Sequence, residues 1–275
     1  MYLHFLSAGI LVMMLVMPAF AASQGDDPSG ETLRACADPN KLPFSNENQE
    51  GFENKIVTLL GEAMHEKVTY VWWVEHGGLV KNTLKVDRCD VLLGVPVGFD
   101  DVLTTLPYYR STYVFVYRRD RQLNLNSLYD PALQQLRIGL HILGNGLAPP
   151  DELLAHEGIR SNVIGYSMRA AYGVPNPPAR LIDAVVNKEI DVAIVWGPLG
   201  GFFALHQPAS LVVMPVSPDH FGRIPFSYEI AMAVREGNTQ LRNRLNDALT
   251  SKAKEIRAIL ASYGIPQVEP AESKE

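Results

Sequence analysis

Residues 33–60, LRACADPNKLPFSNENQEGFENKIVTLL, decide the fold of this chain. The stretch begins with a short apolar segment and continues through a loop rich in proline and asparagine. It ends in a segment with helical periodicity that starts at Gly51. A strand that leads through a polar loop into an amphipathic helix is half of a βαβ unit. Because ligands bind outside the carboxyl ends of strands in parallel α/β folds, we expect the loop to belong to the functional site.

The same alternation of strand and helix continues along the chain and favours two units with parallel strands. In the first unit, strands are predicted at 33–37, 68–74 and 91–95, with helices at 53–65 and 79–86. A long strand at 108–118 leads to a second unit with strands at 137–142, 162–166 and 190–196 and helices at 150–156, 179–188 and after Gly197-Pro198. Extended segments at 211–216 and 226–234 return the chain to one final helix at 239–263.

The first residues have the features of an export signal. Residues 1–22 contain the apolar run Ala8–Met17 and then Pro18-Ala19-Phe20-Ala21-Ala22, an A-x-A type cleavage site, although only His4 precedes the run as a source of positive charge. A bilayer span needs roughly twenty apolar residues, about twice the length of this run. We therefore predict a cleaved signal and an exported protein; an uncleaved membrane anchor is the alternative.

Length and charge narrow the function. About 245 residues follow the leader region, which is enough for two lobes of ordinary size. The chain has 24 basic and 30 acidic side chains and a net charge of -6, so we expect no nucleic-acid partner.

The two cysteines favour one structural disulfide. Cys36 lies in the first predicted strand and Cys89 just before the strand at 91–95. A small, even number of cysteines in an exported chain is typical of disulfide bonding, and neighbouring strands would bring the two sulfur atoms within reach. Two separate buried thiols are the alternative. Neither cysteine belongs to a CxxC motif, so redox chemistry is not expected.

Three loops follow the strands of the first unit, at 38–46, 73–77 and 96–101, and a parallel sheet would gather them at one edge. Their candidate binding residues are Asn40, Phe44, Ser45, Trp73, His76, Val97 and Phe99, with Glu53 at the start of the next helix. From the second unit, 144–146 with Asn145 and 196–198 with Trp196 would face them. The sequence predicts a wide, aromatic and mostly uncharged cleft that suits a protein or a ligand. Core packing is the alternative for Phe44 and Trp73.

Few titratable groups near this edge point to catalysis. Glu53 is either a general acid or a residue that complements the helix dipole, and we expect the second. His76 has no other ligand at useful spacing, so we expect a surface histidine rather than a metal ligand or base. Tyr108 and Arg110 open a predicted hinge strand, where Arg110 either pairs with an acidic group on closure or, as we expect, stays solvated. Nucleophile, phosphate-loop and metal motifs are absent from the sequence, so we predict no enzyme, no cofactor and no metal.

Several segments resemble known proteins. GFENKIVTLLGEAM (51–64), the segment 90–120 and the segment 235–265 resemble the first helix, the third strand with the first hinge, and the closing helices of periplasmic solute-binding proteins of the amino-acid (family 3) type. The strings CADPNKLPFSN (36–46) and RCDVLLGVP (88–96) are more specific. They resemble the quinoprotein-dehydrogenase-associated binding proteins, the XoxJ and MxaJ accessory proteins. This resemblance implies an exported two-lobed protein that serves a periplasmic PQQ-dependent methanol dehydrogenase, with or without its c-type cytochrome.

The implied fold is the type II periplasmic-binding-protein architecture, with two α/β lobes, a cleft and two hinge crossovers. We expect residues 31–117 with 217–275 to form lobe 1 and residues 118–216 to form lobe 2. Amino-acid binders carry an arginine after the third strand, because a guanidinium group binds a carboxylate bidentately. They also carry an aspartate where this chain has Trp196. Here the segment 98–101 reads GFDD, and no cleft arginine is evident.

Three functions are compatible with these residues. We expect a non-enzymatic accessory protein that binds or assists the dehydrogenase. The first alternative is the solute-binding subunit of an importer for a small neutral or anionic molecule. The second is an enzyme on the same scaffold, similar to periplasmic dehydratases, for which Glu53 is the only candidate acid. The sequence does not indicate whether the partner uses calcium or a lanthanide.

Overall fold

The computed structural model describes residues 31–74, 78–169 and 176–269. The predicted export signal and His76 lie outside the described residues. Among the helices that the structure describes, none combines the length and apolarity needed to cross a membrane.

The main strands form one mixed sheet. In chain order they are β1 (Thr32–Ala37), β2 (Lys67–Trp72), β3 (Val91–Pro96), β4 (Tyr109–Arg118), β5 (Ile138–Leu143), β6 (Val163–Ser167), β7 (Val192–Trp196), β8 (Leu211–Pro215) and β9 (Ser227–Val234). Their order across the sheet is β6-β5-β7-β4-β9-β3-β1-β2, and β8 also pairs with β4. Two-residue strands complete the pattern: Asn40–Lys41 with Ser45–Asn46, Leu103–Thr104 with β9, Gly146–Leu147 with β5, and His220–Phe221 with Ile224–Pro225.

Helices cover the sheet. They are α1 (Phe52–Met64), α2 (Leu79–Asn82), α3 (Pro150–His156), α4 (Arg180–Val186), α5 (Gly197–Leu205), α6 (Thr239–Ser251) and α7 (Ala253–Ser262), with 3-10 turns at Arg119–Arg121, Pro131–Gln135 and Pro177–Ala179.

The sheet contains two parallel groups, as the sequence predicts. β1 pairs in parallel with β2 and β3, and β5 pairs in parallel with β6 and β7. The antiparallel strands β4 and β9 join the groups, because β4 pairs with β7 and β9, and β9 pairs with β3. The predicted α/β fold class is confirmed.

Helix α1 forms where apolar residues recur at helical spacing. Phe52, Ile56, Val57 and Leu60 are fully buried against the sheet, and burial of each such side chain contributes about 1.5–3 kcal/mol relative to exposure. The Asn54 side chain accepts a hydrogen bond from the Gly51 amide at 3.1 Å, which satisfies one of the unpaired amides at the helix start. The helix ends at His65, whose φ of 59° is left-handed.

Cys36 and Cys89 form the predicted disulfide. Their Cα atoms are 5.7 Å apart, and both side chains are fully buried among Leu84, Leu92 and Val95. The link therefore fastens β1 to the turn that precedes β3.

The single final helix predicted at 239–263 is wrong, because the chain forms α6 and α7 with Lys252 between them. Hydroxyl groups compete for the carbonyls of the last turn of α6: Thr250 donates to Asn246 O at 2.8 Å and Ser251 donates to Ala248 O at 2.9 Å. Such back-bonding bends helices. The helix expected at 79–86 also ends early, where the Thr83 hydroxyl donates to Leu79 O.

Candidate functional site

One cavity of about 1370 Å³ lies at the carboxyl ends of the parallel strands of both groups. It is lined by Ala37 at the end of β1, Gly94 in β3, His141 in β5 and Trp196 at the end of β7. This is the location at which the fold class is expected to bind ligands.

Six of the predicted site residues line this cavity: Asn40, Phe44, Ser45, Glu53, Phe99 and Trp196. Four of them come from the single stretch 38–53, because the Asn40–Lys41 and Ser45–Asn46 strands fold that loop into a hairpin next to the start of α1. Asn40 also accepts a hydrogen bond from the Asn176 amide at 3.2 Å, which links the first loop to the second group.

The other predicted residues lie elsewhere. The Arg88 guanidinium lies over the Trp73 ring, 5.6 Å from the centroid of that ring. Val97 is exposed and does not line the cavity. Asn145 forms the hairpin turn between β5 and Gly146–Leu147 with Gly144, and only Gly144 lines the cavity. His76 is outside the described residues.

Tyr108 and Arg110 lie at the start of the central strand, outside the cavity lining. The Tyr108 hydroxyl donates to Glu53 Oε1 at 3.3 Å. Arg110 donates to the Ser227 hydroxyl at 2.8 Å and to the backbone oxygen of Glu269 at 3.4 Å, and its Nε is buried. Among the described residues, Arg110 pairs with no acidic side chain, and its buried Nε shows that the guanidinium is not fully solvated either. In this structure Arg110 therefore differs from both predicted alternatives, the acidic pair and the solvated charge.

Glu53 was expected to complement the helix dipole, but its surroundings oppose the ionised form that this role needs. Its side chain is 6% exposed, and its carboxyl lies against the backbone of Gly94, where a Cβ atom would overlap it. Burial raises the pKa of Glu53 to about 7, while the Lys41 ammonium and the Tyr108 hydrogen bond lower that pKa to a smaller extent. Glu53 is therefore a titratable acid at the inner wall of the cavity.

Charged residues other than Glu53 also line the cavity, and the sequence interpretation missed them: Asp38, Lys41, Lys81, Lys85, Asp100, Asp101 and Arg169. Burial lowers the pKa of Lys41, and the negative charges of Glu53 and Asp38 partly offset this decrease. The Lys41 ammonium lies 5.3 Å from the centroid of the Phe44 ring. Arg169 lies in the cleft, where no arginine had been evident. The lone lysine inside the predicted binding loop was the available signal for Lys41.

An aromatic wall extends from Trp196. The Trp196 ring meets Tyr113 and Tyr228 edge-on, at centroid distances of 5.6 and 5.7 Å, and all three line the cavity together with Tyr109. The sequence interpretation missed the three tyrosines because it treated their strands as crossovers. The even spacing of Tyr109 and Tyr113 places them on one strand face and was the signal for them.

Exposed apolar side chains surround the cavity. Val74 and Phe99 from the first group are 46% and 43% exposed, and Ile142 and Leu143 from the second are 40% and 41% exposed. All four line the cavity. We call these four residues the apolar rim. Large apolar side chains exposed together are typical of interaction sites.

His141 is a neutral wall residue. It is 3% exposed, and burial lowers its pKa to about 4. Its Nε2 lies 3.1 Å from the Pro178 carbonyl, which only accepts, so Nε2 carries the proton. No group of three or more metal-ligating side chains occurs among the described residues.

Comparison with known proteins identified close relatives, although no family model matches the sequence. The chain is 31% identical over 257 residues to Protein MoxJ of Methylorubrum extorquens, covering 89% of this chain and 84% of that protein. Two solved structures are similar. MxaJ from Methlophaga aminisulfidivorans has a TM-score of 0.77 and 28% identity, and the periplasmic binding protein XoxJ from Methylobacterium extorquens has a TM-score of 0.72 and 31% identity. Each alignment covers 86% of this chain and 100% of the other.

Proposed function

Because the chain belongs to the MxaJ/XoxJ family of periplasmic binding proteins, we propose that it is a non-enzymatic accessory protein of a PQQ-dependent methanol dehydrogenase. In this proposal the cavity receives a segment of the dehydrogenase, and binding assists maturation, activation or cofactor loading of that enzyme.

The observation that carries this proposal is the size of the cavity together with its apolar rim. Small-molecule sites usually measure roughly 300–1,000 Å³ and enclose most of their ligand, whereas this cavity has about 1370 Å³. Its rim exposes Val74, Phe99, Ile142 and Leu143. A solute inside the cavity would leave these side chains in water, but a protein partner would cover them.

We also propose that the protein works in the periplasm after removal of residues 1–22. The disulfide between Cys36 and Cys89 supports an oxidising compartment. N-terminal sequencing of the exported protein should begin at about Ser23; a chain that keeps Met1 after export would contradict this.

The lobe boundaries near residues 117 and 216 remain part of the proposal. The change of partner along β4, which pairs with β9 up to Thr112 and with β7 from Tyr113, supports a first boundary within that strand. Tyr117 and Val216 are buried, so proteases should not cut at these boundaries. Amide hydrogen exchange should show two units of different protection that meet there, and uniform protection across both units would contradict the boundaries.

Binding of the dehydrogenase tests the function. The mature protein is used to capture the purified dehydrogenase, in apo and cofactor-loaded forms, with native mass spectrometry of the eluate. The double variant Phe99→Ser/Leu143→Ser removes apolar area from both sides of the rim. The matched control, Tyr129→Ser/Leu106→Ser, removes an aromatic and a leucine side chain of similar exposure, 51% and 52%, away from the cavity.

We expect the rim variant to weaken the complex at least tenfold and the control variant to leave it unchanged. Preference for the apo or the loaded enzyme would distinguish loading from release. If the wild-type protein captures neither form, the proposal fails. A small molecule that co-purifies in its place would favour the solute-binding subunit of an importer.

A further inference from the structure

Three polar side chains line the part of the cavity that the first parallel group and the start of β4 contribute. Lys41 comes from the loop hairpin, Glu53 from the first turn of α1 and Tyr109 from the start of β4, and all three line the cavity. The charges of Lys41 and Glu53 interact, and burial together with the nearby Glu53 carboxyl raises the pKa of Tyr109, which stays neutral. We call these three residues the inner cluster.

The inner cluster is rich in hydrogen-bond donors. The Lys41 ammonium has three N–H donors and no acceptor. Tyr109 is 6% exposed, and its side chain lines the cavity. A tyrosine hydroxyl donates one hydrogen bond, so an acceptor that enters the cavity can pair with it at this position.

Glu53 is the acceptor of the inner cluster, but it is already engaged. Its Oε1 accepts from the Tyr108 hydroxyl at 3.3 Å and its carboxyl is pressed against Gly94. When Glu53 is protonated, it becomes a further donor.

We propose that Lys41, Glu53 and Tyr109 form a subsite for a carboxylate group carried by whatever occupies the cavity. The carboxylate accepts hydrogen bonds from the Lys41 ammonium and the Tyr109 hydroxyl, and it shares the proton of a neutral Glu53. Charge-assisted hydrogen bonds of this kind are the strong ones in proteins. No bond is made or broken other than the transfer of one proton from water to Glu53.

The charges around Glu53 set the pH dependence. Glu53 is faced by Lys41 from the hairpin, by Tyr108 and Tyr109 from the start of β4, and by the Gly94 backbone from β3, while Asp38 faces Lys41. A second carboxylate beside Glu53 favours its neutral form, so the pKa of Glu53 rises above about 7 and binding takes up a proton. The affinity for a carboxylate therefore increases as the pH falls from 8 to 6.

This subsite deepens the proposed function, in which the carboxylate belongs to an acidic side chain of the dehydrogenase. A small free carboxylate has the same chemistry, so the experiment separates the two sources. Benzoate and benzylamine serve as probes because they share a shape suited to the aromatic wall and carry opposite charges throughout pH 6–8. Their binding to the mature protein is measured by calorimetry at both pH values, in buffers of different ionisation enthalpy.

Benzoate should bind more tightly at pH 6 than at pH 8, with proton uptake, and benzylamine should bind far more weakly. Lys41→Met should weaken benzoate binding about tenfold or more, and Tyr109→Phe severalfold. Glu53→Gln resembles the protonated acid, so it should retain benzoate binding and remove the pH dependence. Melting temperatures confirm folding, and Tyr109→Phe keeps its ring and tests the subsite if Lys41→Met unfolds.

The same variants are then tested for capture of the dehydrogenase. Weaker capture by Lys41→Met with retained capture by Glu53→Gln supports an acidic side chain as the source, even if benzoate fails to bind. Benzoate binding with these effects, but no capture by wild-type protein, supports a small carboxylate and overturns the accessory function alone. Preference for benzylamine, or insensitivity of both assays to Lys41→Met and Tyr109→Phe, overturns the subsite while leaving the accessory function to its own test.

Discussion

Removal of the disulfide should destabilise this protein by about 4 kcal/mol. Cys36 and Cys89 are separated by 53 residues. With a closed loop of that length, the loop-closure relation gives an entropy loss of about 14 cal/mol/K in the unfolded chain, or about 4 kcal/mol at 25 °C. The suitable perturbation is Cys36→Ala/Cys89→Ala, because serine would leave unpaired hydroxyl groups in a fully buried cluster.

Urea unfolding at pH 7 measures this loss directly as the difference in free energy of unfolding. For a chain of this size, the melting temperature should fall by about 10 °C. The wild-type protein unfolded in reductant should approach the stability of the alanine variant, since both lack the link in the unfolded state. A loss below about 1 kcal/mol would refute the reasoning. It would mean that the unfolded chain is already compact between these two residues.

Three further changes test other parts of the structure. Asp191 accepts hydrogen bonds from Arg137 and Arg121, which hold its pKa at about 2. Because both arginines are partly exposed, Asp191→Asn should lower the free energy of unfolding by only about 1 kcal/mol at pH 7, and this difference should vanish as the pH falls from 4 to 2. Burial raises the pKa of Glu53 from 4.5 to about 7, so the ionised form destabilises the fold. Glu53→Gln should therefore be about 3 kcal/mol more stable than wild type at pH 8 and nearly equal to it at pH 4.5, and an equal difference at both pH values would contradict the shift. Gly94→Ala should lower the free energy of unfolding by about 2 kcal/mol or more, because φ is 68° and the new methyl group would overlap the Glu53 carboxyl. The control Gly98→Ala, with φ of 76° and open space around it, should lower it by only about 1 kcal/mol, and equal losses would exclude the overlap as the cause.

The framework of the fold was predictable because each step of the inference was local. The alternation of strand and helix predicts parallel groups, and the spacing of Phe52, Ile56 and Leu60 predicts the buried face of α1. The disulfide follows from the placement of Cys36 and Cys89 next to neighbouring strands. The break at Lys252 was not predictable from periodicity, because the apolar stripe continues through it and only the hydroxyls of Thr250 and Ser251 disturb the helix.

The cavity was predictable in location but only partly in composition. The rule that parallel strands bind ligands at their carboxyl ends leads to the loops, and so to Phe44, Glu53 and Trp196. It does not lead to Tyr109, Tyr113 or Tyr228, which belong to the strands that join the groups. Their approach to the loops depends on the pairing of β4 with β9 and β7, a set of long-range contacts that no local pattern contains.

Glu53 illustrates how a correct local argument can predict the wrong state. A helix dipole stabilises an ionised carboxylate by about 0.3–1 kcal/mol, and by about 2 kcal/mol in favourable cases. The change of pKa from 4.5 to about 7 corresponds to about 3 kcal/mol in the opposite direction, even with the Lys41 ammonium nearby. Burial therefore outweighs both favourable charges. That burial arises from Gly94 and Tyr108, which lie about 40 and 55 residues away in the sequence. It follows that an occupant which expels more water from the cavity raises the pKa of Glu53 further, unless it brings a cation to this position. The direction of proton transfer on binding therefore reports the charge of the occupant.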